Sequence, residues 1–412
     1  MSGLAFAQAP TPGLPMRFLQ WALAWGLATG LWLAWQGEPV LLSRWTPATL
    51  VVVHMLALGM LGNAMLGSLV QFLPVAAGSR LPCVRCVPWL QGAFNAGVAL
   101  LLVTLCGQVR ALALPAAILL GSSLALIAAF ALVAAMRGNG ERVVRDGIGL
   151  ALLALLATAS LGLLLLGART GWVAPAPAGR VDLHAAIGSI GWMLGLLAAV
   201  GSVTLPMLQG TRAVPVIASR LWQTAWLATL CLVAAAQGGV LPQGAWHVAT
   251  VPFVAFAIAV FFLHATARHR RNPALRRFWQ AGCASLLAAC GVAVWPDRPW
   301  MLAGTLVLGT GLPLLVVGMA LEITGFLTWI ALRQRVPRGI RVPGVGSLFD
   351  EAGKQRAFVL HAIAGVLLVT ATLAPVLARV AGVAMALAYA VSLHAQWRCW
   401  RQADGWQASG PG

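Results

Sequence analysis

The chain has 412 residues, of which 60% are hydrophobic and only 9% are charged, and its formal net charge is +18. A soluble protein of this size carries many more charged side chains, so the composition predicts a polytopic membrane protein. The basic excess does not indicate nucleic-acid binding, because 26 of the 27 basic residues are arginines in short segments between apolar runs.

Twelve apolar runs follow one another along the chain. Each is long enough to cross a hydrocarbon core of about 30 Å at about 1.5 Å per residue. We therefore predict an all-α bundle of twelve transmembrane helices in a single integral membrane domain, residues 1–412, with 333–355 as a basic cytoplasmic loop. The predicted spans are 17–36, 47–76, 87–106, 111–136, 146–167, 183–209, 215–236, 243–267, 275–295, 299–332, 356–374 and 380–400.

The loop charges predict the orientation of these helices. With a cytoplasmic N-terminus, 21 basic residues fall on the cytoplasmic side and six on the other, as the positive-inside rule requires. The chain is thus predicted to lie in a bacterial-type inner membrane with both termini in the cytoplasm. We expect the lipid bilayer as its main partner, and a respiratory complex or further copies of the chain as candidate protein partners, with no nucleic acid.

Predicted helices 2 and 6 share a design. His54 precedes Pro74 by 20 residues and His184 precedes Pro206 by 22, with glycines between them in both helices. An imidazole in a membrane span is costly unless it has a partner or a ligand. Two histidines at matching places in two halves of the chain therefore suggest an internal repeat and a functional site.

The predicted topology arranges six of the seven histidines in two tiers. Neutral imidazole is the commonest nitrogen ligand of haem iron and other metals, so each tier is a candidate metal site. The outer tier contains His54, His184 and His247, and the inner tier contains His264, His361 and His394.

Helical periodicity separates the two repeated histidines. At about 100° per residue, glycines and Pro206 share a face with His184, which predicts that this side chain points into the bundle. The glycines of helix 2 lie on another face from His54. That side chain is therefore either a ligand or a core histidine bonded to a neighbouring carbonyl.

The plan of the chain resembles a known family. The residues that carry the resemblance are His54 with LALGMLGNAMLGSLVQFLP after it and His184 with AAIGSIGWMLG after it. A twelve-helix bundle with such helices is similar to subunit I of the haem-copper oxidases, and more closely to their short C-family-like and NnrS-type relatives, which are linked to nitric oxide. The resemblance implies haem or copper as cofactor, with a low-spin haem ligand at His54 and a copper ligand at His184.

The chain departs from that family at two helices. Predicted helix 10 has no histidine where an oxidase has two haem ligands, and predicted helix 7 lacks adjacent histidines. We therefore expect a haem- or copper-binding protein of respiration, nitric oxide response or oxidase maturation, and not a complete oxygen reductase. Whether it is an enzyme stays open.

Apart from Asp146, the first residue of the span 146–167, Glu322 is the only acidic residue within a predicted span. An ionisable group at that depth is a candidate proton or ion relay, metal ligand or ion-pair member. The inner-tier histidines and Arg333 are its expected partners, and pairing with a loop arginine is the plain alternative.

Cys83 and Cys86 form the only cysteine pair with metal-like spacing. One C-x-x-C without a second pair is a weak zinc or redox signal. Their predicted cytoplasmic loop is a reducing environment, so we expect no structural disulfide.

Two other classes of function remain open. A secondary transporter would also have twelve helices and an internal repeat, and would use Glu322, Asn63 and Gln71. A non-catalytic assembly subunit would keep the fold without a ligand. Predicted helices 2 and 6 cross in the same direction, which favours a parallel repeat over the inverted repeat of many transporters.

Overall fold

The computed structural model describes residues 8–107, 109–295, 299–337 and 340–405. Helices contain 85% of the residues, and the described part of the chain has no strand. The prediction of an all-α protein is confirmed. It follows from the apolar runs, because a helix satisfies its backbone hydrogen bonds internally where no water is available.

Twelve long helices follow one another in the described residues, each overlapping one predicted span. They are α1 (Gly13–Gln36), α2 (Pro47–Ala77), α3 (Val84–Gly107), α4 (Arg110–Arg137), α5 (Arg142–Thr170), α6 (Ala178–Gln209), α7 (Val216–Gln237), α8 (Gly244–Ala265), α9 (Pro273–Ala293), α10 (Trp300–Arg335), α11 (Glu351–Leu373) and α12 (Pro375–Gly405).

Ten of these helices, all except α1 and α9, are long and apolar enough to cross a membrane. The chain is therefore a polytopic helical membrane protein by the length and composition of its helices. α1 and α9 have a lower hydropathy than the other long helices. Arg276 and Arg277 lie in the first turns of α9, and α1 contains several tryptophans and polar residues.

The helices form two compact units. The first unit contains α3 to α8 with the end of α2, the second half of α9 and the start of α10. The second unit contains α1, most of α2, the first half of α9, most of α10, and α11 and α12. Within the first unit, α7 is joined to α5 by the Arg220–Asp146 ion pair (2.8 Å) and to α6 by Trp226, whose Nε1 donates to the Ile190 carbonyl (2.8 Å).

The predicted loop 333–355 is shorter than its composition suggested. α10 continues to Arg335, and α11 begins at Glu351 with Asp350 as its N-cap, accepting from the Gly353 amide at 3.3 Å. A short helix, Val345–Leu348, lies between them. The prediction placed Lys354 in the loop. This was wrong, because the Asp350 cap starts α11 before Lys354, which is a buried residue of that helix.

Candidate functional site

His54 ends the first α-helical part of α2, and a π-helical segment, Met55–Gly62, begins directly after it. Its Nδ1 lies 2.8 Å from the Leu50 carbonyl oxygen. A carbonyl oxygen only accepts, so Nδ1 carries the proton and the neutral ring keeps its lone pair on Nε2. Half-buried His54 is thus bonded to a neighbouring carbonyl, in the tautomer that metal-binding histidines use.

His184 repeats this arrangement in α6. Its Nδ1 lies 3.1 Å from the Thr158 carbonyl oxygen of α5, so Nδ1 again carries a proton and donates it to a carbonyl. A Cβ on Gly162 would lie 3.0 Å from the imidazole Cε1, so α5 has a glycine where the ring packs. This contact with α5 agrees with the prediction that His184 points into the bundle.

A π-helical segment, Ile187–Leu194, begins three residues after His184. A third one, Thr305–Gly311, lies in α10, so the described π segments occur four helices apart, in α2, α6 and α10. In the second unit the segments of α2 and α10 contact each other. π-Helical turns are rare and often mark functional sites. The three π-helical segments are thus a structural counterpart of the sequence repeat in helices 2 and 6, and they extend this repeat to α10.

His247, the third member of the outer tier, lies in the 3₁₀ turn at the start of α8. Its ring centroid is 4.4 Å from that of Trp246, and its Nδ1 is buried without a hydrogen-bond partner. An unsatisfied buried nitrogen costs free energy, and a bound ligand could remove that cost. His247 therefore keeps a place in the candidate site.

The inner-tier histidines have three different surroundings. His264 is buried, with Nε2 2.6 Å from Gln209 Oε1 in the first unit. His361 is buried in the second unit, with Nε2 3.0 Å from Ser392 Oγ, and its ring meets that of Tyr389 edge to face at 4.7 Å. The His394 side chain is exposed. His264 and His361 thus have hydrogen-bond partners from the protein itself.

Within the part of the chain that the structure describes, no group of three or more His, Cys, Asp or Glu side chains could hold a metal ion. Haem makes a smaller demand on the protein, because the porphyrin supplies four nitrogens and the iron takes one or two axial ligands from side chains. His54 and His184, whose Nδ1 atoms donate to carbonyl oxygens, would hold haem iron through Nε2 in their neutral form.

Glu322 forms a buried ion pair with Lys354. Its Oε2 accepts from Lys354 Nζ at 2.6 Å, and the two side chains are only 6% and 5% exposed. The expectation that a buried acid has a partner is confirmed, but the expected partners, the inner histidines and Arg333, were wrong. Sequence reasoning missed Lys354 because it lies 32 positions away and was assigned to a loop.

A polar stripe on α12 continues from this ion pair. Ser392, Gln396 and Cys399 lie on one buried face of α12, about one turn apart. Gln396 Nε2 donates to Thr324 Oγ1 at 2.9 Å and Cys399 Sγ lies 3.5 Å from Thr328 Oγ1, which joins α12 to α10. Ser392 joins it to α11 through His361. The second unit thus has a polar interior where α10, α11 and α12 meet.

Two further polar residues of α2 were candidates for a transport site. Asn63 is fully buried, and its Nδ2 donates to the Gly59 carbonyl at 2.7 Å. Gln71 is 8% exposed, and its Oε1 has no hydrogen-bond partner. Asn63 thus bonds its own helix, while Gln71 keeps an unused acceptor.

The first unit also contains a partly open cavity of about 140 Å³ between α5, α6, α7 and α8. Trp222, Trp226 and Phe256 form part of its wall, with Gly147 and Gly195. An apolar cavity of this size suits a small apolar molecule and not a charged one.

A scan against protein-family models matched no family, and a search of the curated proteins found no match. The class is therefore defined by the structure itself, as a polytopic helical membrane protein with a buried ion pair and two imidazoles that donate from Nδ1 to carbonyl oxygens near π-helical segments.

Proposed function

We propose that this chain is a haem-binding integral membrane protein related to subunit I of the haem-copper oxidases, in which His54 and His184 would be the residues that bind haem iron. The observation that carries the proposal is the repeated geometry: in both residues Nδ1 donates to a carbonyl and a π-helical segment follows within three residues. A bond that fixes Nδ1–H and orients Nε2 is the usual support of a metal-ligating histidine.

Haem is the better-supported of the two expected cofactors, because one imidazole suffices for each haem iron. A bound haem would supply a redox-active iron able to bind small diatomic ligands. His247, with its orphaned nitrogen, is the further candidate ligand. We place the protein in respiration, nitric oxide response or oxidase maturation, and not in dioxygen reduction, because α7 and α10 have no histidine.

Single alanine variants test the two ligands. We expect His54→Ala and His184→Ala each to reduce haem absorbance in the purified protein, because neither imidazole has a neighbouring histidine within its own helix to replace it. His394→Ala is the matched control, since its exposed side chain should leave the spectrum unchanged. A Soret band that keeps its full intensity in both ligand variants would contradict the proposal.

We also propose that all twelve helices cross a bacterial-type inner membrane, with both termini in the cytoplasm. α1 has 24 residues and α9 has 21, which at about 1.5 Å per residue is enough to span the core. Reporters that reveal the side of the membrane, inserted at 8–12 and 37–46 on either side of α1, should report opposite faces, as should reporters at 266–272 and at 294–295 on either side of α9. The same face for either pair would remove one crossing.

A secondary transporter is the second candidate, and the buried Glu322–Lys354 pair favours it. Ionisable groups inside membrane spans are rare and often belong to ion or proton pathways. A protein without haem absorbance, purified from haem-replete cells, would favour this candidate. Glu322 and Lys354 would then be the first residues to test for coupled transport.

A further inference from the structure

The segment between α2 and α3 contains a cysteine pair that the proposed function does not use. Cys83 and Cys86 are joined by a disulfide, with their Cα atoms 5.4 Å apart. From the sequence we expected no structural disulfide here. This expectation was wrong, because a 3₁₀ turn, Val84–Cys86, brings the two side chains together. The Cys86 amide donates to the Cys83 carbonyl at 2.8 Å and closes that turn.

The bond contributes little to holding the protein together. It joins residues only three positions apart, and the stabilisation that a disulfide gives through chain entropy falls as the closed loop becomes shorter. The adjoining helix α3 is already anchored by buried apolar residues such as Phe94 and Val98. Stabilisation of the fold therefore does not explain why this segment contains a disulfide, and thiol–disulfide chemistry explains it better.

The two sulfurs have different surroundings. Cys83 is exposed, whereas Cys86 is half-buried and directly precedes Val87, where the α-helical part of α3 begins. Unpaired amides at a helix N-terminus stabilise a thiolate. Arg80 and Arg85 flank the pair and are exposed, and no acidic residue occurs in the sequence from 39 to 140. Two arginines this close along the chain lower the cost of a cysteine thiolate.

We propose that Cys83 and Cys86 form a redox-active pair that exchanges electrons with a protein dithiol. A thiolate of the partner attacks Cys83 Sγ, the bond between Cys83 and Cys86 breaks, and Cys86 leaves as a thiolate at the start of α3. The second thiolate of the partner then attacks the mixed disulfide and releases Cys83. Two electrons pass to the pair, the partner becomes a disulfide, and solvent supplies the protons that the cysteines take up.

Purified full-length protein in glutathione buffers of graded redox ratio tests this exchange. Thiols are trapped with a maleimide-linked polymer, which adds one mass increment per reduced cysteine. We expect two increments to appear together in reducing buffer and to be lost again in oxidising buffer. The double variant Cys83→Ser/Cys86→Ser should lose this two-increment response, and the exposed residues Cys106 and Cys231 are internal controls.

Single variants test the roles of the two sulfurs. In the Cys86→Ser variant, the exposed Cys83 should form a mixed disulfide with glutathione faster than Cys86 does in the Cys83→Ser variant. The double variant Arg80→Gln/Arg85→Gln should slow the reaction of the reduced Cys83 and Cys86 with maleimide several-fold, because a smaller fraction of these thiols is present as thiolate. A pair that stays oxidised or stays reduced at every ratio would overturn the proposal, as would an identical response from Cys106 and Cys231.

Discussion

Replacing Lys354 with alanine should lower the free energy of unfolding by about 3–5 kcal/mol, the usual cost of removing one member of a buried ion pair. The Glu322 side chain, which is 6% exposed, would lose its cationic partner. The measurement is thermal unfolding in detergent, followed by tryptophan fluorescence, together with the fraction of monodisperse protein.

Two variants separate the loss of a partner from the loss of the pair. Removing both charges, in Glu322→Gln/Lys354→Met, should recover most of the stability, because no uncompensated charge remains. Asp404→Ala is the matched control on an exposed pair: Asp404 bonds Arg335, and both side chains are about half exposed. We expect about 0–1 kcal/mol there. Equal losses in the Lys354 and Asp404 variants would show that the burial of Glu322 has no energetic consequence.

Gly382→Val should disrupt the packing of α1 against α12 and prevent normal folding of the second unit. A Cβ at Gly382 would overlap the backbone of Ala34, and one at Gly30 would overlap the backbone of Ala386, so the two helices cross backbone to backbone. Extra side-chain atoms inserted into a packed core destabilise a protein by about 1–3 kcal/mol. The cost should be higher here, because the atoms in the way belong to the backbone, which moves aside less easily than a side chain. Gly30→Val should have a similar effect.

Gly92→Val provides the control for this crossing. Gly92 lies in α3, and a Cβ there would meet no atom within 4 Å. Both substitutions place a β-branched residue in a helix, so the propensity cost is shared and the difference reports the clash. Expression and monodispersity should fall for Gly382→Val and stay near the parent level for Gly92→Val. Equal behaviour of the two variants would argue against the close crossing.

Hydropathy was enough to predict the helices but not every boundary. Apolar runs of sufficient length can satisfy their backbone only as helices, so the plan followed from composition. The start of α11 was missed, because it depends on the Asp350 cap rather than on hydropathy, and Lys354 was misplaced with it. Its partner, Glu322, is distant in sequence, and no local pattern predicts which charges meet.

The candidate site was likewise predicted only in part. The sequence pointed to His54 and His184 as candidates, because an imidazole in an apolar run stands out. It could not predict that both rings donate from Nδ1, since one acceptor is in the same helix and the other is in α5. The π-helical segments depend on backbone geometry that residue type does not encode, and so the relation of α10 to α2 and α6 came from the structure.

The most direct test of the central proposal is an optical spectrum of the full-length protein, purified from haem-replete cells, recorded oxidised and after dithionite reduction. Haem content is measured on the same sample. The account predicts a Soret band that shifts on reduction, and haem in stoichiometric proportion to the polypeptide. A colourless preparation without haem would contradict it.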